Sequence, residues 1–319
     1  MYQTKVANMD YIKPYEELSA HDQDKLLTNE RLIIESLHPE TMSKGDQLIG
    51  DLLVGFGKIK PQDVERILKA QQDKKCAFGE AAKHLGLVSE QDIQHVLAQQ
   101  FDYPYFQLDS KQFSDELYAA YAPFTEKGEA LRDLRSQLLI RWFDQGHKVL
   151  ALTSIETEDK SNVLAANLAI MFSQLGKKTI LVDANLRHPS QHKLFNLDNK
   201  LGLSNRLINR ATSDDIAQIA HFSNLSLLTA GSIAPNPLEL LERLNFSALI
   251  YELSSAYDVV LIDTAPFSKG SDAITVAARA QGMLTTVSKD HSRLDNVNLL
   301  LRQAKIAGVE TVGFVMQEM

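Results

Sequence analysis

The sequence contains a single cysteine, Cys76, which excludes an internal disulfide and fits a reducing cytosol. It has no apolar run close to the roughly 18–20 residues that cross a bilayer. The N-terminus lacks the basic start and apolar centre of a signal peptide. The net charge is −8, so the sequence has no excess of positive charge. Such an excess is what attracts nucleic acid or anionic lipid. These absences predict a soluble cytoplasmic protein that does not bind nucleic acid.

The length and the apolar content leave room for more than one domain. A chain of 319 residues with 44% hydrophobic residues suits two domains, or one large domain with an extension. We predict a polar lead-in over residues 1–43, a helical double-repeat domain over 44–106, a linker over 107–127 and an α/β domain over 128–319.

Two copies of a 24-residue pattern occupy residues 48–71 and 77–100. Glycine ends a helix readily, and Pro61 and Ser89 stand where helices begin. Each copy therefore predicts a helical hairpin, and the two hairpins are expected to stack. Both copies share two glycines seven residues apart and a final glutamine, at Gly50, Gly57, Gln71, Gly79, Gly86 and Gln100.

This double repeat resembles the N-terminal domain of type II secretion and pilus-assembly ATPases, some of which bind cyclic di-GMP. The resemblance implies that the six shared glycines and glutamines contact cyclic di-GMP. The family pattern opens with Arg-Leu-Gly, whereas Leu48 stands here at the arginine position. An arginine fork suits a guanine-phosphate ligand, so the departure counts against binding. The alternative is a small helical domain without a ligand.

From residue 149 onward, apolar runs alternate with helical patterns. Strands rich in Val, Ile and Leu between helices predict a doubly wound, mostly parallel sheet that is covered on both faces. Ligands bind such sheets beyond the carboxyl ends of the strands. The predicted strands are 149–153, 179–182, 225–228, 259–262, 283–287 and 311–315, and the predicted helices are 161–175, 238–255, 273–280 and 294–307.

A polar loop and the pair Lys160-Ser161 follow the first of these strands and precede a helix. This is the layout of a phosphate-binding P-loop (Walker A), in which the lysine reaches the phosphates and the serine hydroxyl binds Mg²⁺. Ser154 and Asp159 occupy the two glycine positions of that loop. We predict that ATP is bound by Ser154, Asp159, Lys160, Ser161, Asn162 and Arg187, although Arg187 could instead cap its own loop.

Two aspartates, Asp183 and Asp263, follow the strands predicted over 179–182 and 259–262. Mg²⁺ prefers oxygen ligands and keeps coordinated waters, so Ser161, Asp183 and Asp263 form a predicted magnesium site. One of the aspartates could also orient or deprotonate a hydroxyl nucleophile. With Lys160 they make up the predicted catalytic set.

Three charged residues, Glu129, Arg132 and Arg135, lie three apart beside an apolar helical face. One interpretation is a solvated ridge with weak internal pairs. The other is a contact between subunits, in which the arginine forks meet carboxylates of a neighbouring copy.

Four segments carry a second resemblance, to the bacterial tyrosine kinases, which are P-loop proteins related to the MinD-type ATPases. They are TSIETEDKSN, ILVDANLRHPSQHKLFNLDNKLGLSNRL, APNPLELL and YDVVLIDTAPF, within residues 128–315. The subgroup most similar is the chain-length determinant tyrosine kinase of exopolysaccharide export. The resemblance implies ATP and Mg²⁺ as cofactors and a homo-oligomer formed through Glu129, Arg132 and Arg135. It also implies a membrane polysaccharide co-polymerase as partner, which would hold the chain at the inner membrane.

The sequence departs from that family at three places. Asp159 replaces a glycine, and a carboxylate about 5 Å from a phosphate oxygen would cost about 3 kcal/mol at an effective dielectric of 20, unless it turns away. Asn185 replaces an aspartate and cannot take a proton, so a base role would fall to Asp183. No tyrosine follows Tyr257, so a partner, or an interior residue such as Tyr251 or Tyr257, would have to accept phosphate. Two hypotheses remain, a kinase and a scaffold or switch that has lost most phosphoryl transfer.

Overall fold

The computed structural model describes residues 49–100, 103–106, 112–210, 215–289 and 291–317. The chain divides into two compact units, Met1–Ser89 and Glu90–Met319. The predicted lead-in, Leu48 and part of the predicted linker lie outside the described residues. Within the described ranges, no helix combines the length and the apolarity needed to cross a membrane.

The described part of the first unit is helical. Gly57 and Gly86 adopt left-handed backbone angles, with φ of +67° and +68°, just after two of its helices, as the glycine pattern predicts. Gly50 is buried, and a Cβ there would lie 3.2 Å from the Phe78 ring. Helix ending and close packing thus account for these glycines, and contact with cyclic di-GMP stays a prediction. The helices are α1 (Ile49–Gly55), α2 (Pro61–Lys74) and α3 (Phe78–His84).

The second unit is built on a seven-stranded sheet of order β3-β4-β2-β5-β1-β6-β7. All neighbouring strands are parallel except β3 and β4, which confirms the predicted doubly wound, mostly parallel α/β class. The strands are β1 (Val149–Ser154), β2 (Thr179–Asp183), β3 (Ile216–Gln218), β4 (Leu225–Leu228), β5 (Val259–Asp263), β6 (Gly282–Ser288) and β7 (Glu310–Gln317).

Helices cover both faces of this sheet. One apolar core lies under α6 and α7, and the other lies under α11, α12 and α13. The helices of the unit are α4 (Glu90–Gln100), α5 (Tyr118–Tyr121), α6 (Glu126–Arg141), α7 (Ser161–Gln174), α8 (Gln191–Leu194), α9 (Leu203–Leu207), α10 (Pro237–Glu242), α11 (Leu244–Ala256), α12 (Asp272–Ala280) and α13 (Leu294–Ile306).

Two details differ from the predicted elements. The edge strand β3 was not predicted, and the helix predicted over 238–255 is broken at Arg243, whose ψ of 149° is extended. In a continuous helix Leu241 and Phe246 would stand about 140° apart around the axis. Both are fully buried in the same core, and the break allows both to face it.

Trp142 lies at the amino end of β1. Its indole Nε1 donates to the Val149 carbonyl at 2.9 Å, and the ring stacks on His147 with a centroid separation of 3.8 Å. Gly282 provides the space for this ring, because a Cβ at that position would lie 2.3 Å from it.

Side-chain alternation along the strands sets up the site. Leu152, Leu181 and Leu261 belong to the core under α7, and side chains two residues further along a strand share the same face. Ser154, Asp183 and Asp263 therefore face the α7 side at the carboxyl ends of β1, β2 and β5.

Candidate functional site

The phosphate-loop segment joins β1 to α7 through a single 3₁₀ turn at Thr157–Asp159. Lys160 then takes a left-handed conformation, with φ of 45° and ψ of 44°, and α7 begins at Ser161. The first N–H groups of a helix have no acceptor within it, so those of Ser161 and Asn162 can bind an anion. The predicted strand, loop and helix are all present at this position.

A cavity of about 290 Å³ opens at the start of α7. This volume is close to the lower end of the range for small-molecule sites. Of the six residues predicted to bind ATP, four line the cavity, namely Ser154, Lys160, Ser161 and Asn162. The other lining residues are Glu116, Thr157, Val163, Asn185, His188, Ser190, Thr264 and Pro266.

Asp159 is fully buried and is not part of the cavity lining. Its carboxylate accepts the Glu156 N–H at 2.8 Å and the Ser292 hydroxyl at 3.1 Å. The expectation that Asp159 contacts ATP is therefore not met by this arrangement, because local and distant donors hold the carboxylate inside the protein. For the same reason, this geometry does not place the Asp159 carboxylate where it would repel a bound phosphate.

Replacing Asp159 by glycine is expected to lower the free energy of unfolding by about 1–3 kcal/mol, because two donors lose their acceptor. ATP affinity should change little. Urea denaturation and calorimetric titration with Mg·ATP measure the two effects. Asp159→Asn is the matched control, since it keeps the shape and one acceptor oxygen. A hundredfold gain in affinity for Asp159→Gly without loss of stability would contradict the buried arrangement.

Asp183 and Asp263 are paired directly across β2 and β5, and both are fully buried. Asp183 accepts three backbone N–H groups, from Asn185, Ser190 and Gln191, at 3.0–3.2 Å. Burial nevertheless raises the pKa of Asp183 to about 6. Burial and the adjacent charge of Asp183 raise the pKa of Asp263 well above its usual value.

Gln191 links this carboxylate pair to α7 and was not identified from the sequence. Its backbone N–H binds Asp183 at 3.0 Å, and its side-chain amide donates to Asp263 at 2.8 Å and to the Asn162 carbonyl at 3.0 Å. No local pattern marks a glutamine eight residues after a strand as such a bridge.

Two buried oxygens of this cluster, Asp263 Oδ1 and Gln191 Oε1, have no hydrogen-bond partner within the described residues. No group of three or more His, Cys, Asp or Glu side chains suited to a metal occurs in the same part of the chain. A magnesium ion needs fewer carboxylates than that, because it keeps several waters. Ser161, Asp183 and Asp263 supply a hydroxyl and two carboxylates, and this oxygen set fits Mg²⁺.

The ammonium group of Lys160 donates to Glu116 at 2.9 Å. The two side chains are 60% and 47% exposed, so the pair contributes little to stability. Glu116 was not identified from the sequence, because it lies in the predicted linker, 44 residues before its partner. Glu116 is thus the ion-pair partner of the lysine that the sequence predicts to bind the phosphates.

Arg187 forms a two-point ion pair with Asp272, at 2.7 and 2.9 Å, and does not line the cavity. Asp272 is buried at the start of α12. Two roles were open for Arg187. The ion pair with Asp272 fits the capping of its own loop, and this arrangement does not place Arg187 against a nucleotide in the cavity.

Glu129, Arg132 and Arg135 lie on α6 as the spacing predicts. Arg132 pairs with Glu129 and also donates to the Pro123 carbonyl at 2.6 Å. Arg135 donates to the Met171 carbonyl at 3.2 Å, and burial lowers its pKa. These contacts lie within the chain, and a contact between subunits stays a prediction.

Comparison with known proteins identifies the fold and the family. No protein-family model matches the chain. The chain is 32% identical to the putative tyrosine-protein kinase CapB of Staphylococcus aureus, over 64% of this chain and 89% of CapB. It is 35% identical to the tyrosine-protein kinase YwqD of Bacillus subtilis (strain 168), over 52% of this chain and 70% of YwqD.

Solved structures agree with these relatives. The chimerical protein CapA2B2 superposes with a TM-score of 0.61 at 31% identity, covering 72% of this chain and 99% of that chain. The kinase domain of the Escherichia coli tyrosine kinase ETK gives 0.62 at 25% identity, covering 67% and 84%. The chain thus combines a P-loop-like segment and an aspartate pair at neighbouring strand ends with these similarities. It belongs to the bacterial tyrosine-kinase family.

Proposed function

We propose that this chain binds Mg·ATP in the cavity at Lys160 and transfers the γ-phosphoryl group to tyrosine, and that it thereby regulates the chain length and export of an exopolysaccharide or capsule. The observation that carries the proposal is the position of four residues at one edge of the sheet. Lys160 and Ser161 follow β1 and line the cavity, whereas the fully buried pair Asp183 and Asp263 ends the neighbouring strands β2 and β5 and does not itself line the cavity.

Each residue has a distinct role in this reaction. Lys160 exchanges Glu116 for the β- and γ-phosphates, while the N–H groups at the start of α7 receive phosphate oxygens. Ser161, Asp183 and Asp263 would hold Mg²⁺, which would supply the positive charge that neutralises the phosphates.

The two aspartates differ in their freedom to accept a proton. Asp183 is engaged by three backbone N–H groups, whereas Asp263 keeps one oxygen without a partner in the described residues. We assign to Asp183 the fixed metal-holding role. Asp263 has an oxygen without a partner in the described residues, so we assign to it, in addition to its share in holding the metal, acceptance of the tyrosine hydroxyl proton, a role that the sequence had suggested for Asp183.

Purified protein provides the direct test. Calorimetric titration should give micromolar affinity for ATP with Mg²⁺, and incubation with Mg·ATP should produce phosphotyrosine detectable by mass spectrometry. Absence of binding at millimolar ATP would refute the proposal.

Glu116 supplies a graded test of the role of Lys160. Replacing Glu116 by glutamine should raise ATP affinity by up to about fivefold, because an exposed ion pair is worth about 0.2–1 kcal/mol. Competition with a fluorescent ATP analogue measures the change. Glu126→Gln removes the same charge from an exposed position on α6 and should leave the affinity unaltered. An equal effect of both substitutions would show that only net charge matters.

We also propose a membrane polysaccharide co-polymerase as partner, which holds the chain at the inner membrane, and self-association through Glu129, Arg132 and Arg135 on α6. The partner is supported by 32% identity to the tyrosine-protein kinase Wzc of Salmonella typhimurium over 26% of that longer protein. Co-purification of the chain with a co-polymerase tests the partner, and light scattering of the parent and Arg135→Glu tests self-association.

Two observations favour a second candidate, a scaffold or switch in the same export machinery. Lys160 is already paired with Glu116, and Asn185, which lines the cavity, cannot act as a base. Such a protein would form no phosphotyrosine, and absence of ATP binding at millimolar concentration would support it, so the two readouts above separate the candidates.

A further inference from the structure

A second cavity, of about 390 Å³, lies at the other end of the sheet from the nucleotide cavity. Val149, the first residue of β1, lines it, and Ser154, the last residue of β1, lines the nucleotide cavity. A strand rises about 3.3 Å per residue, so about 17 Å of β1 separates the two.

Tyr251, on α11, lines this second cavity and is 77% exposed. The other tyrosines in the described part of the chain are buried or half-buried: Tyr103, Tyr105, Tyr118, Tyr121 and Tyr257. Among the described residues, Tyr251 is therefore the tyrosine that another protein molecule can reach without unfolding.

The cavity beside Tyr251 carries positive charge. Lys148 and Arg279 line it together with His147, and none of its lining residues in the described part of the chain carries a carboxylate. Lys148 makes one hydrogen bond of 3.3 Å, to the Tyr257 carbonyl, and an ammonium group has three donors. The two terminal nitrogens of Arg279 donate to backbone carbonyls of α12 and α10, at 2.9 and 3.1 Å, and its buried Nε has no partner in the described residues. In a chain of net charge −8, this is a local site for an anion.

We propose that Tyr251 is the acceptor tyrosine of this kinase and that its phosphate binds in this cavity to Lys148 and Arg279. The inference rests on the proposed function. A phosphotyrosine carries a charge of about −1.5 to −2 and three acceptor oxygens, which form short hydrogen bonds with such cations. The bound phosphate ties α11 to the end of α12 and to the residues before β1.

The separation of the two cavities requires transfer between two copies of the chain. The Tyr251 phenol oxygen of one copy attacks the γ-phosphorus of ATP in the other. The bond from that phosphorus to the oxygen bridging to the β-phosphate breaks, and ADP leaves. The phenol proton passes to Asp263 of the copy that holds the ATP.

The first test maps phosphotyrosine by mass spectrometry after incubation of the full chain with Mg·ATP. Phosphate is expected on Tyr251. Tyr251→Phe should lose most phosphotyrosine while it binds ATP like the parent, and Tyr257→Phe, the matched control, should retain it. Mixing Tyr251→Phe with Lys160→Met should restore phosphotyrosine, on the Lys160→Met chain.

The outcomes separate the inference from the function on which it rests. Phosphotyrosine at other positions with Tyr251 unmodified overturns the inference and leaves the kinase assignment standing. A complete lack of phosphotyrosine in the parent overturns both.

The second test addresses the cationic cavity. Phosphorylation should raise the thermal midpoint of the parent and of Lys305→Gln, an exposed control. The gain should be smaller in Lys148→Gln. Each variant is compared with its own unphosphorylated form, so the effect of the substitution on folding cancels. Equal gains in Lys148→Gln and the parent would show that the phosphate binds elsewhere.

Discussion

Replacing Lys160 by methionine is expected to weaken Mg·ATP binding by at least about 100-fold. A unit charge pair at 4 Å is worth about 4 kcal/mol at an effective dielectric of 20. Separating Lys160 from Glu116 offsets up to about 1 kcal/mol of this. The remaining 3 kcal/mol or so corresponds to more than about two orders of magnitude in affinity.

Calorimetric titration with Mg·ATP measures the loss. Lys305→Met is the matched control, because Lys305 is an exposed lysine on α13, remote in sequence from the loop. Binding by Lys160→Met at the parental affinity would mean that the cavity does not hold phosphate through this lysine. Equal losses in the two variants would mean that the effect comes from net charge alone.

Replacing Asp263 by asparagine is expected to stabilise the protein while it abolishes phosphoryl transfer. Asp183 and Asp263 are fully buried at adjacent positions, so ionising both leaves two negative charges in a site of low polarity. Burial and the charge of Asp183 raise the pKa of Asp263 well above its usual value, so the ionised Asp263 carboxylate destabilises the fold. Removing that carboxylate should therefore raise the free energy of unfolding at pH 7.5 by at least about 1.4 kcal/mol, the equivalent of one pKa unit.

The sign of the pH dependence follows from the direction of these shifts. A carboxyl group whose pKa is higher in the folded state binds its proton more tightly there. The contribution of Asp263 to stability is therefore complete below about pH 4 and is lost as the pH rises towards its higher folded-state pKa. The advantage of Asp263→Asn over the parent should therefore be small near pH 4 and grow up to pH 7.5.

Urea denaturation across this pH range measures the effect. Asp144→Asn removes the same charge from an exposed position and should show no such trend. A loss of stability for Asp263→Asn at pH 7.5 would mean that the ionised pair is already neutralised by groups around it. Increased stability with loss of activity is what a site that sacrifices stability for function should show.

The sequence was sufficient for the sheet and for the position of the loop. Continuous runs of Val, Ile and Leu predicted six strands that the structure contains, each with ends within two residues of those expected. Lys160 and Ser161 mark the start of α7 as the pattern indicated. These features depend on local sequence, where the spacing of apolar residues carries the information.

The contacts that control the chemistry depend on distant residues. Glu116 lies 44 positions before Lys160, Gln191 lies 72 before Asp263, and Ser292 lies 133 after Asp159. No periodicity or motif records such a pairing, so the direction of the Asp159 carboxylate and the neutralisation of Lys160 could not be predicted. The break at Arg243 is similar, because it arises from fitting two apolar faces against one core.

The stack of Trp142 on His147 gives the protein an intrinsic fluorophore. Trp142 is the sole tryptophan of the chain and is almost fully shielded from water. Its neighbour His147 lines the cavity beside Tyr251 and not the cavity beside Lys160. The fluorescence emission of Trp142 should therefore stay nearly constant when nucleotide binds and change when an anion displaces His147. The fluorescence of the unlabelled protein would then show which of the two cavities is occupied.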